Sequence, residues 1–185
     1  MQRMNGFPIV DLTGPAFERG RTHGERARGR VERSLANYAR LFEYHGMPWR
    51  EVQDRAKPFR DVIGAFDASL LEEIEGIAAG SGRDFSELLA LNARTELLPA
   101  QMLGTGDHGE CTSIAVNPRA SGTGGTLLAQ NWDWLGSQRE AMVLLRVAES
   151  EDPAYLTLTE ARHPGEDRVQ RPGIRGGPQH PALHG

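Results

Sequence analysis

The feature that most constrains this fold is a change of apolar period near residue 111. Before the loop "GTGDHGE" (104–110), apolar residues recur every three or four positions, and after it they alternate. The first spacing lines one face of an α-helix, the second one face of a β-strand. A chain that switches once between these periods is α+β, with helices gathered on a sheet face.

In the helical part, Pro15 suits a first helical turn. Ala27, Val31, Leu35, Tyr38 and Phe42 then form a stripe opposite arginines and glutamates, and Gly46 is a suitable stop. A second stripe holds Trp49, Val52, Ala56, Phe59, Ile63 and Phe66, and Pro58 should kink or divide it. A third helix carries Leu70, Leu71, Ile74 and Ile77 and stops at Gly80–Gly82. Asp84 with Glu87 forms a capping-box start for a fourth, which runs to about Leu98. The first hundred residues therefore read as helices.

Beyond the loop, Thr112, Ile114 and Val116 alternate with Ser113 and Ala115 as a strand. "PRASGTGG" is turn chemistry, and "TLLAQ" is the hairpin partner. "AMVLLRVA" and "AYLTLTE" add two strands joined by "ESEDP". The expectation is an antiparallel meander.

The 185 residues suffice for one domain. A net charge of −4 and a pI near 5.9 give no basic footprint for nucleic acid. One cysteine excludes an internal disulfide. No apolar run suits a signal peptide or a membrane span, so a cytoplasmic location is the default.

A lone cysteine is most often a small buried apolar residue. Cys111 differs in context. It sits at a loop-to-strand junction, follows the polar loop that ends in Glu110, and precedes Thr112 and Ser113. That setting fits an N-terminal nucleophile. Cutting between Glu110 and Cys111 would leave an α-amine beside the thiol. With a pKa of about 8, this amine can act as its base. A Cys–His pair with His108, His23 or His45 is the competing reading, but no histidine-containing motif supports it. Metal-ligand spacing is absent, and no cofactor is implied.

"ECTSIAV", a glycine-rich turn and "TLLAQNWDW" resemble the acyl-coenzyme A:6-aminopenicillanic acid (isopenicillin N) acyltransferase family. "FERGRTHGE" and "LLALNARTELL" also look like that family, and the likeness runs from about Phe7 to about Glu160. The resemblance implies an αββα N-terminal-nucleophile hydrolase sandwich, self-cleaved into an α/β heterodimer. It implies Cys111 as nucleophile of self-cleavage and acyl transfer, Asp133 as active-site support, and Thr112 as assistant through its N–H or hydroxyl. Asn131 either donates a hydrogen bond near the site or caps a strand end, and for Trp132 and Trp134 core packing is the favoured role. Partners would be a small-molecule acyl donor, an acyl-coenzyme A among the candidates, and an amine or water acceptor. Where the family's best-known fungal member has glycine before the nucleophile, this chain has Glu110.

Residues 1–161 would be the N-terminal part of one such domain, with 1–110 the α chain and 111–161 the start of the β chain. The family's oxyanion-hole asparagine and an arginine near the nucleophile lie in its later part and match no position here. Residues 162–185 have no apolar period and are expected to be disordered or frameshift-derived. With one choice of codons and a shift of one base, "RHPGEDRVQ" can be read as "GIPGKIGF" and "GPQHPAL" as "VLNTLRS", both apolar-patterned. The expectation is an incomplete version of the fold with little activity. The alternatives are an inactive fragment and a non-catalytic α+β binding module.

Overall fold

Helix α1 (Ala16–Tyr44) is the spine of the molecule. In the computed structural model, which describes residues 2–98, 111–148, 155–161 and 169–170, it buries Ala27, Val31, Leu35, Tyr38 and Phe42, the face that its spacing marks. The chain leaves α1 through Gly46, whose φ of +79° is a conformation that costs glycine least.

The second stripe is divided as expected. Helices α2 (Trp49–Ala56) and α3 (Phe59–Phe66) meet at Lys57–Pro58, where proline removes an amide donor. Helix α4 (Ala68–Ser81) starts at Asp67, whose carboxylate accepts the Ser69 N–H at 2.8 Å, and stops at left-handed Gly82. The Asp84–Glu87 capping box opens α5 (Phe85–Asn92). The expected single helix to Leu98 is broken at Ala93, and α6 (Arg94–Leu97) follows separately.

Helices α1 and α4 touch backbone to backbone. A Cβ on Gly20 would strike the Glu73 carbonyl, and one on Gly76 the Phe17 carbonyl. Gly24 against Ile77 and Gly80 against Arg21 repeat the pattern one turn on.

The N-terminus corrects the all-helical reading. Strands β1 (Arg3–Met4) and β2 (Phe7–Thr13) turn through Asn5 and Gly6, both at positive φ, the backbone of a tight hairpin. In β2, Pro8, Val10 and Leu12 are buried, a period of two. Strands β3 (Cys111–Val116) and β4 (Leu127–Trp132) form the expected hairpin, paired from Cys111↔Trp132 to Val116↔Leu127.

The single meander is also corrected. A 3-10 turn (Gly136–Ala141) separates β4 from β5 (Met142–Ala148), and β5 runs parallel to β2 from Ile9↔Leu144 to Thr13↔Ala148. Strand β6 (Tyr155–Glu160) pairs antiparallel with β5, and β7 (Val169–Gln170) with β6. The main sheet thus has the order β1-β2-β5-β6-β7, with β3–β4 apart from it. Val10, Leu12, Val143, Leu145 and Val147 pack with the buried face of α1 in one core. The result is α+β, with a parallel pair between the first and second halves of the chain. Glu110 and His108 fall outside the described residues, as does all of 162–185 except Val169–Gln170.

Candidate active site

Cys111 is the first residue of β3 and is exposed. Antiparallel pairing sets it opposite Trp132 and sets Thr112 opposite Asn131. Side chains alternate across a strand, so Cys111, Ser113, Trp132 and Gln130 share one hairpin face, and Thr112 and Asn131 share the other. On that second face the Thr112 N–H donates to Asn131 Oδ1 at 2.7 Å. Asn131 Nδ2 in turn donates to Asp133 Oδ2 at 2.9 Å. Only one orientation of the Asn131 amide satisfies both bonds. Thr112, Asn131 and Asp133 are therefore joined in a chain ending on the amide next to Cys111. The aspartate reaches the cysteine through backbone, not through the thiol.

A second cluster anchors this hairpin to the body. Trp134 Nε1 donates to Tyr38 Oη at 2.8 Å, and Arg94 Nε donates to the same oxygen at 2.7 Å. Tyr38 donates to Glu160 Oε1 at 2.9 Å, which uses every site of the hydroxyl. Arg94 Nη2 lies 3.7 Å from Glu160 Oε2, and both side chains are almost fully buried. Trp134 thus does more than pack. Sequence reasoning missed Arg94 and Glu160. The available signal was Arg94 inside the largely apolar "LLALNARTELL" and Glu160 at the end of the strand-like "YLTLTE".

Between the hairpin and the main sheet lies a groove of about 370 Å³. Phe7, Trp132, Trp134, Leu135, Met142 and Leu158 give it a mainly apolar wall, with Gln130, Gln138 and Glu160 among the polar groups. Gln138 is 2 % exposed, and its side-chain amide has no hydrogen-bond partner among the described residues. Gln130 and Trp132 belong to the Cys111 face of the hairpin, so that face borders the groove.

Of the histidine alternatives, His108 lies outside the described residues, and the other two have surroundings of their own. His23 is fully buried in α1, and His45 caps its C-terminus with its ring against Tyr44. Among the described residues no helix is long and apolar enough to cross a membrane.

No protein-family model matches the chain. It is similar to the acyl-coenzyme A:6-aminopenicillanic-acid-acyltransferase 40 kDa form of Emericella nidulans, at 29% identity over 155 residues. The match covers 82% of this chain and 41% of that protein, so the chain spans about two fifths of the length of the curated relative it matches. The likeness supports a distant relationship to an acyltransferase.

Proposed function

We propose that this chain carries the nucleophile-bearing part of a self-cleaving cysteine acyltransferase or amide hydrolase. The observation that carries the reading is the setting of Cys111. It is exposed at the first residue of β3, on the hairpin face that borders an apolar groove, beside an amide held by Asn131 and Asp133.

Self-cleavage would begin with Cys111 Sγ attacking the carbonyl carbon of Glu110. The peptide C–N bond breaks, the Cys111 nitrogen takes a proton, and a thioester forms. Water then hydrolyses the thioester and leaves Glu110 as a carboxylate and Cys111 as a free N-terminus. An α-amine of pKa about 8 is partly neutral near physiological pH and can accept the thiol proton. In the second reaction the thiolate attacks the carbonyl of an acyl donor, whose leaving group departs with that proton. An amine or water then takes the acyl group from sulfur. The apolar groove suits the acyl chain, and the Asn131–Asp133 pair keeps the strand end in place during both attacks. In this reading residues 1–110 and 111 onward are the two chains of a heterodimer.

Intact-mass measurement of the expressed protein tests this. Two fragments splitting between Glu110 and Cys111 are expected, and Cys111→Ala should remain one chain. A wild-type chain that is folded yet uncut after prolonged incubation overturns the reading and favours a non-catalytic α+β module.

A further inference from the structure

A concavity of about 550 Å³ lies between the Asn5–Gly6 turn, α1 and the 3-10 turn. Arg3, Arg30, Arg33 and Arg139 line it, and Glu140 is the one carboxylate among its lining residues. Several arginines elsewhere are neutralised locally. Arg21, Arg55 and Arg83 each pair with a glutamate one turn away. In the cleft, among the described residues, only Arg33 pairs with a glutamate, Glu140 at 3.0 Å, and that pair is exposed on both sides.

The other three side chains are held in place by neutral groups. Arg3 Nη1 donates to the Gly6 carbonyl at 3.1 Å. Arg30 Nη1 donates to the carbonyls of Glu140 and Met142. The Arg139 guanidinium lies over the Phe7 ring, 5.4 Å from its centroid, within reach of a cation–π contact. Burial, then the charges of Arg3 and Arg33, lower the pKa of Arg30 from its ordinary value. Like charges fixed this close repel one another and are relieved by a multiply charged anion. Guanidinium forks match phosphate oxygens in geometry as well as charge.

We propose that this cleft binds a phosphate-bearing small molecule, with a diphosphate group set among Arg3, Arg30, Arg33 and Arg139. Arg30 is fixed by two backbone carbonyls and forms the floor. Arg33 and Arg139 close on the ligand from either side, and Glu140 is the competitor the anion displaces from Arg33. Phe7 and Arg139 also border the groove beside the β3–β4 hairpin, so the two cavities share these two residues as a common wall. The proposal stands on the cleft alone and does not require that Cys111 be catalytic.

Calorimetric titration of the full chain at low salt, with inorganic pyrophosphate and with ADP, tests it. Pyrophosphate should bind, and Arg33→Ala and Arg139→Ala should each weaken it about tenfold or more. Arg55→Ala, on α2 and paired with Glu51, should bind like wild type. Glu140→Gln should tighten binding, a gain that a misfolded variant does not give. ADP tighter than pyrophosphate assigns the ligand to the nucleotides, and equal affinity assigns it to free phosphates. Cys111→Ala should bind unchanged, which separates failure here from failure of the acyl-transfer reading. Absent binding, an equal loss in Arg55→Ala, or weaker binding by Glu140→Gln overturns the proposal.

Discussion

His23 shows how one buried side chain sets the acid response of the molecule. It is fully buried in α1, and neither ring nitrogen has a hydrogen-bond partner among the described residues. Burial alone pushes its pKa down to about 4 from 6.5. The folded state therefore holds the neutral ring, while the unfolded chain binds a proton at about pH 6.5. Stability from the neutral ring is fully present above pH 6.5. It is lost as pH falls through that value toward 4, because protons favour the unfolded state. Between pH 7 and 5, above the range where ordinary carboxylates titrate, the loss should be about 2 kcal/mol. Urea unfolding at the two pH values measures it. His23→Leu should flatten the dependence in this window, and an unchanged slope would mean that other groups produce it. Glu160 is as deeply buried as His23, but its carboxylate has partners: Tyr38 donates to it and Arg94 lies beside it.

At the scale of the element, α1 and α4 approach through glycines that lie outside the apolar stripes. "GRTHG" and "GIAAG" place Gly20, Gly24, Gly76 and Gly80 at four-residue spacing, on faces that meet. Alanine normally gains up to about 1 kcal/mol over glycine in a helix interior. At Gly76 the new methyl would meet the Phe17 carbonyl, so Gly76→Ala should destabilise by about 1–3 kcal/mol despite that gain. At Gly29, also in α1, nothing lies within 4 Å of the position a methyl would take, and Gly29→Ala should stabilise by about 0.5–1 kcal/mol. Thermal unfolding of the two variants checks the contrast, and equal shifts would refute backbone contact as the reason. The helices were legible because their signals are local: the stripe from Ala27 to Phe42, Pro58, and the Asp84–Glu87 box. Strand β2 was not, because seven residues that include a proline carry little period. Its parallel pairing with β5 joins segments far apart in sequence, and no local signal specifies that. The candidate site divides in the same way. The Thr112–Asn131–Asp133 chain follows from one hairpin, whereas Tyr38, Arg94, Trp134 and Glu160 come from four separate segments.

For the whole molecule, the decisive contrast is between a packed body and a hairpin that stands away from it. Side chains from Cys111 to Ala115 and from Leu127 to Asn131 are all exposed, on both hairpin faces. Ile114 and Leu128 are 58% and 54% exposed, yet residues of this type are normally buried in sheets. Among the described residues, strands β3 and β4 pair only with each other, which leaves an open backbone edge on each side. A two-stranded hairpin is marginal in water by itself, so its pairing depends on what it meets. In dilute protein, the amides of β3 and β4 should exchange with solvent much faster than those of β5, which lies between two strands and buries Val143 and Leu145. Raising the protein concentration should slow that exchange and produce association visible by sedimentation, because the open edges and apolar side chains favour a second copy. The double variant Ile114→Lys, Leu128→Lys should remain monomeric at the same concentration, while its β5 amides stay protected. Hairpin amides as protected as those of β5 in dilute monomer would show instead that this element is stable without a partner.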